Sequence, residues 1–345
     1  MKKSRYITCY VQFGRRLMNS RMISTIVFIA LSLLVACGEP ELENQAPTIS
    51  FIAPSDNGAY TQGEVITFSV EVGDPEEDIK EVRFYSNDVG IGSDQNWPYS
   101  FEWETSNVNE GIYTIRAEAI DNGNAKSYAE ISIRVFEGSI AIDHDGNVYH
   151  TVVIGDQWWM AENLKVSHYR DGTPINYVTD NSAWATLTTE AYCIYINNSL
   201  LEVNNYGALY NWYAVNGDID GDGIKEKEIA PEGWHVPEDA EWQILIDYLG
   251  GSGIAGGKLK ESGTNHWSNP NEGATNESEF TVLPGGLRDF SNGTYNDMGD
   301  YAGFWTATES GSGHPWAISL FSNYSGVNRS STLKGYGLSV RCVKD

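Results

Sequence analysis

The chain has 345 residues, with 47 acidic against 22 basic side chains and a formal net charge of −25. A field of that sign repels the phosphates of nucleic acid and anionic lipid headgroups, so both are poor candidate partners, while divalent cations are favoured. The length allows more than one folded domain.

Residues 23–35 are a continuous run of apolar or small side chains, preceded by Arg15, Arg16 and Arg21. A membrane-spanning helix needs about 20 such residues, so this shorter run reads as the core of an export signal. It closes on Leu34-Val-Ala-Cys37, which resembles the lipobox of bacterial lipoproteins. The resemblance implies that residues 1–36 are a cleaved lipoprotein signal peptide and that Cys37 carries a lipid that anchors the chain to a membrane. Met18 or Met22 would each begin a leader of ordinary proportions. Loss of residues 1–36 removes six basic residues and no acid, leaving 16 basic against 47 acidic and a net charge of −31. Residues 37–45 are polar and acidic without apolar periodicity, which predicts a flexible tether. Acids directly behind a lipidated cysteine resemble the signal by which Bacteroidetes-type bacteria carry lipoproteins to the outer face of the outer membrane. The expected location is therefore the outer membrane, lipid-anchored, at the cell surface, with periplasmic retention left open.

From 46 to 137 the chain alternates apolar and polar residues in short runs at 48–52, 65–72, 81–85, 99–103, 111–119 and 128–135. Turn-forming residues such as Asn57-Gly58 and Asp121-Asn-Gly123 separate them, and six or seven such runs in this length predict an all-β sandwich. The segments APTISFIAPSDNGAY, VRFYSNDVGIGSD and GIYTIRAEAIDNGNA resemble bacterial immunoglobulin-like repeats, which implies the sandwich fold but no ligand; a spacer between tether and distal module is the economical reading, with ligand binding by its loops as the alternative. Asp74 and Asp78 together with Asp121 offer carboxylate oxygens to a hard cation, although a solvated acidic turn is the simpler expectation.

From 138 to 345 tryptophan and glycine become dense. The ordered motifs Asp143-His-Asp-Gly-Asn-Val-Tyr149, Gln157-Trp-Trp-Met-Ala-Glu-Asn-Leu164, Tyr206-Gly-Ala-Leu-Tyr-Asn-Trp-Tyr213, Gly233-Trp-His-Val-Pro237, Leu283-Pro-Gly-Gly-Leu-Arg288 and Val340-Arg-Cys-Val343 resemble the major paralogous domain family named from Fibrobacter succinogenes. The resemblance implies an α+β C-type lectin-like fold, related to the formylglycine-generating-enzyme group. Two helices are expected. Tyr206, Leu209, Tyr210 and Tyr213 fall at helical spacing, and over 237–249 Trp242, Leu245, Ile246 and Leu249 follow i, i+3, i+4, i+7, with Gly250-Gly251 as the stop.

Several residues invite a chemical reading. His235 lacks a neighbouring nucleophile motif and is expected to be structural; the other histidines lack paired-ligand spacing, so zinc is unsupported. Cys193 and Cys342 are expected to pair as a disulfide, as two cysteines of an exported chain commonly do. Neither sits among basic residues that would lower a thiol pKa, which disfavours a formylglycine-generating-type enzyme; a hydrolytic carboxylate pair cannot be picked from sequence. Asp218, Asp220 and Asp222, with Ile224 and Glu226, reproduce loop positions 1, 3, 5, 7 and 9 of an EF-hand, although Ile229 stands where the bidentate glutamate belongs. A structural Ca²⁺ is expected there. Trp267 and Trp316 have polar, loop-like neighbours and are the candidates for an exposed ligand-stacking surface. The expected function is a lectin-like recognition module for extracellular glycan or a surface protein, not an enzyme, with a structural surface-assembly component as the contending reading.

Overall fold

The computed structural model describes residues 43–195, 204–217, 225–311 and 313–345. Cys37 and the signal segment lie outside the described residues, as do Asp218, Asp220, Asp222 and Ile224.

Eight strands make the first domain: β1 (Thr48–Ala53), β2 (Gly58–Thr61), β3 (Val65–Gly73), β4 (Ile79–Ser86), β5 (Val89–Asp94), β6 (Ser100–Glu104), β7 (Gly111–Asp121) and β8 (Lys126–Phe136). They form two sheets, β1-β3-β6 and β2-β8-β7-β4-β5, antiparallel apart from the β2–β8 pair. Alternation places Ile66, Phe68 and Val70 of β3 on one inner face, opposite Val82 and Phe84 of β4 and Ile115 and Ala117 of β7. Phe68 is fully buried, its ring 6.2 Å from Phe84 and 6.1 Å from Trp103. All six runs read from the sequence are strands; β2 and β5 are additional. Each is short and carries glycine, so neither shows clear alternation.

The second domain is assembled from short strands: β9 (Ile140–Ile142), β10 (Val148–Ile154), β11 (Gln157–Met160), β12 (Tyr192–Cys193), β13 (Leu209–Tyr210), β14 (Trp234–His235), β15 (Leu287–Arg288), β16 (Tyr295–Asn296), β17 (Tyr301–Glu309), β18 (Pro315–Phe321), β19 (Asn328–Ser331) and β20 (Val343–Lys344). Its largest sheet runs β14-β20-β11-β10-β9, so the C-terminal strand lies between two others. A separate meander joins β17, β18 and β19, and β15-β16 is a small hairpin.

This strand-rich domain overturns the α+β C-type lectin-like expectation. The helices with both ends among the described residues are α1 (Asn181–Trp184), α2 (Trp212–Asn216), α3 (Asp239–Tyr248) and α4 (Ala255–Leu259), of which only α3 reaches ten residues. The helix predicted around Tyr206–Tyr213 is broken for local reasons. Gly207 has φ 73°, a conformation that side chains other than glycine rarely adopt, and a Cβ there would lie 2.8 Å from the Leu164 carbonyl oxygen. Leu209 and Tyr210 then extend as β13 against β12, and Asn211 begins α2 only afterwards, its side chain accepting from Ala214 N. By contrast α3 forms where the spacing predicts it. A capping box joins Glu238 and Glu241, and Trp242, Leu245, Ile246 and Leu249 are buried. Trp242 packs 4.8 Å from Trp159 and 5.5 Å from Phe304, fixing the helix on the β17 sheet.

Two arginines are buried in this core without a carboxylate. Arg341 donates to Asn163 Oδ1 and to the carbonyls of Phe280 and Thr281, with its guanidinium 4.3 Å over the Phe280 ring. Arg288 reaches across to the backbone of residues 178 and 179. Both occupy the family-like motifs of the sequence, whose role here is architectural.

Candidate functional site

The second domain carries two open clefts on either side of the segment 332–336, which leads from β19 back to the core. One, of about 250 Å³, is lined by Tyr301, Phe321 and Tyr336 with the hydroxyl side chains of Ser319, Ser330 and Thr332. The other, of about 350 Å³, is lined by Tyr213, Phe290, His314, Leu333 and Lys334. Tyr336 and Phe290 meet edge-on with centroids 4.8 Å apart, forming the ridge between them.

Local structure positions each of these rings. Tyr301 and Phe321 face one another at the paired ends of β17 and β18, 5.2 Å apart, and the Tyr301 hydroxyl bonds Ser319 Oγ at 3.0 Å. Phe290 is carried by the β15–β16 hairpin, which Arg288 pins by donating Nε to the Gly293 carbonyl at 2.9 Å. The segment 332–336 is tied at one end by Thr332 N to the Pro315 carbonyl, at 2.9 Å, and beyond the other by Gly337 N to the Arg288 carbonyl, also at 2.9 Å. Lys334 lies 4.7 Å over the Trp212 ring and pairs with Glu309, so its charge is locally balanced. Rings and hydroxyls in an overall acidic protein suit a neutral ligand with alternating apolar and hydroxyl faces. Sequence reading missed Tyr301, Phe321, Phe290 and Tyr336, because they are scattered along the chain and belong to no shared motif; the polar stretch Ser330-Ser-Thr-Leu-Lys-Gly-Tyr336 was the available signal.

The residues predicted from sequence fare differently. Trp267 is 1% exposed, its Nε1 donating to the Val282 carbonyl at 2.8 Å and Lys260 lying 5.3 Å over its ring, so it is core and not a stacking surface. Its polar neighbours mislead because they are themselves engaged: Asn271 Nδ2 donates to the carbonyls of Glu261 and Gly263. Trp316 is half-buried on β18 and covered by Arg329 at 3.5 Å, which in turn pairs with Asp239. Neither tryptophan lines the clefts.

Cys193 and Cys342 are both free and buried, which corrects the expected disulfide. They belong to different packed clusters. Cys193 lies opposite Leu209 in the β12–β13 ladder, beside Trp184 and Tyr195, and Cys342 is packed with Tyr149, Trp234 and Val236. Burial pushes the Cys193 thiol up to about 11 and raises Cys342 well above the ordinary value, so both are poor nucleophiles.

His235 is gripped from both sides, Nδ1 at 2.7 Å from Asp345 Oδ1 and Nε2 at 2.9 Å from Glu241 Oε2. Burial opposes its charge, but the two carboxylates outweigh that and hold its pKa above the ordinary histidine value. It clamps the chain's last residue to α3, a structural arrangement.

Of the expected EF-hand-like ligands only Glu226 is described. It is exposed, and its backbone N–H and that of Lys227 both donate to the Gly217 carbonyl, at 3.0 and 3.1 Å. The second acidic set is brought together: Asp74, Asp78 and Asp121 each offer an oxygen within 4.8 Å of the others.

An immunoglobulin-type sandwich followed by a strand-dominated, tryptophan-rich domain defines a two-domain bacterial chain, and a bacterial Ig domain model matches residues 47–117. The model of the Fibrobacter succinogenes major domain matches residues 152–344, and the chain belongs to that family. A search of curated proteins finds no match. Among solved structures the chain is similar to the Clostridium thermocellum CbhA fibronectin(III)-like modules, at 27% identity over 27% of this chain and 100% of that one, TM-score 0.25. It is also similar to the PKD1 domain of Vibrio anguillarum Epp, at 18% identity over 27% of this chain and 96% of that one, TM-score 0.20. A third is the Bacteroides ovatus SGBP-B in complex with mixed-linkage heptasaccharide, at 10% identity over 87% of this chain and 100% of that one, TM-score 0.22. Among the described residues, no helix is long and apolar enough to cross a membrane.

Proposed function

We propose that the chain is a lipid-anchored bacterial surface protein whose sandwich serves as a spacer and whose C-terminal domain binds neutral extracellular glycan. The observation that carries this reading is the pair of clefts flanking the Phe290–Tyr336 ridge, one walled by Tyr301, Phe321 and Tyr336 beside serine and threonine hydroxyls, the other by Tyr213 and Phe290. Pyranose rings present an apolar C–H face to such side chains and hydroxyls at their rim. The anchor is supported by the lipobox-like Leu34-Val-Ala-Cys37 and the acidic residues behind it.

The test is a glycan array with the purified chain, followed by calorimetry of hits on Tyr336→Ala and Phe290→Ala. Selective binding weakened at least tenfold by both substitutions is the expected result. Absence of any hit, or unchanged affinity in both variants, would remove the clefts from the reading.

An assembly role has its own observation in its favour. Trp97 is 81% exposed and follows β5, the edge strand of the larger sandwich sheet, on which Val89 is also 67% exposed. Concentration-dependent self-association that Trp97→Ser abolishes would favour that role.

A further inference from the structure

Asp74 and Asp78 lie in the turn between β3 and β4, where the chain crosses from one sheet of the sandwich to the other, and Asp121 ends β7. Pairing of β4 with β7 sets Ile79 opposite Asp121 and so brings the turn to the strand end. The three carboxylates lie close enough to share one ion. Asp121 is fully buried, and Oδ1 of Asp74 and Oδ1 of Asp78 are cut off from solvent and accept no hydrogen bond. Among the described residues no lysine, arginine or histidine pairs with any of the three. Their protein donors are Asp78 N to Asp74 Oδ2 at 2.9 Å, Ala125 N to Asp121 Oδ1 at 2.8 Å, and Asn44 Nδ2 to Asp121 Oδ2 at 2.9 Å.

These contacts leave one oxygen each of the half-buried Asp74 and Asp78 shielded from solvent and without a protein donor, in a cluster of like charges that repel one another. A cation seated among the three carboxylates would supply the missing partner and relieve their repulsion. We propose that Asp74, Asp78 and Asp121 bind Ca²⁺. An all-oxygen donor set selects a hard cation over zinc or copper. Among hard cations Ca²⁺ accepts an irregular shell of several protein carboxylate oxygens, whereas Mg²⁺ dehydrates reluctantly and keeps most of its waters; three converging carboxylates with oxygens shut off from solvent suit Ca²⁺. Carbonyls and water would complete the shell. The ion ties the sheet-crossing turn to the end of β7, and Asn44, held on Asp121, is among the last residues before β1. Its effect is to stiffen the end of the sandwich where the tether enters, independently of what the clefts bind.

Hydrogen–deuterium exchange on the full chain in detergent, with several millimolar Ca²⁺ against chelator, reads the site directly. Peptides covering 73–79 and 120–126 should exchange at least tenfold more slowly with Ca²⁺ in the wild type and in Asp220→Ala, which alters the other acidic loop. Asp78→Asn should lose that protection. In chelator the same variant should melt above the wild type, because one of three repelling charges is gone; that gain also establishes that it folds. Protection absent from the wild type, retained in Asp78→Asn, lost in Asp220→Ala, or equally large with Mg²⁺ would overturn the assignment.

Discussion

Replacing Arg288 by methionine keeps an apolar stem of similar length and deletes the guanidinium, which is fully buried and has no carboxylate beside it. Three backbone carbonyls would lose their donor: Gly293 from Nε at 2.9 Å, Val178 from Nη1, and Thr179 from Nη2 at 2.9 Å. A stranded buried acceptor costs about 1–3 kcal/mol. The guanidinium also lies 4.4 Å over Trp184 and 4.8 Å over Tyr295, a further contribution of roughly 2 kcal/mol when desolvated. Against these losses the variant no longer buries a charge, which returns several kcal/mol. The balance of these contributions is a net destabilisation of about 3–5 kcal/mol. At roughly 2–4 °C per kcal/mol for a domain of this size, the C-terminal domain should melt about 6–20 °C lower in calorimetry, while the sandwich transition stays in place. Arg288→Lys should recover only part of the loss, because an ammonium cannot reproduce the planar fork that spans residues 178 to 293. A loss under about 1 kcal/mol, or a fully stable lysine variant, would refute the reasoning.

Non-reducing mass spectrometry should find Cys193 and Cys342 unlinked, with both thiols alkylated quickly only after denaturation; a linked peptide pair would contradict the separate burial sites. Because the folded pKa of His235 is raised, its contribution to stability is complete below the unfolded value of about 6.5 and fades as pH rises through the folded one. A denaturation series across that window should show this fall in the wild type and its absence in His235→Gln. Phe68→Ala, at the centre of the sandwich core, should cost about 3–5 kcal/mol in the sandwich transition and leave the C-terminal one unmoved.

The sandwich was legible because its information is local: a period of two, turn residues between the runs, and large apolar side chains on one face only. The same holds for α3, where the first-turn acids, the apolar stripe and the Gly250-Gly251 stop agree. The second domain is held by other means. Strands of two residues, such as β12 and β13, are too short to display a period, and the buried Arg288 satisfies carbonyls more than a hundred residues away. A 3.6-residue spacing at Tyr206, Leu209, Tyr210 and Tyr213 therefore carried no helical meaning once Gly207 turned the backbone.

The two acidic sets differ in what a sequence can reveal. Asp218, Asp220 and Asp222 advertise themselves by spacing within one loop, whereas Asp121 is separated from Asp78 by more than forty residues and joins it only through the register of β4 on β7. Spacing alone supplies charge; pairing supplies burial. Burial is what turns adjacent carboxylates into a demand for a cation, since exposed acids are relieved by water and salt. The clefts follow the same logic. Tyr301 and Phe321 come together because they are register partners on β17 and β18, and Phe290 meets Tyr336 because Arg288 and Gly337 exchange backbone hydrogen bonds beneath them. The lines of sequence that carry the family motifs build this support, and the residues that face outward from it sit between the motifs.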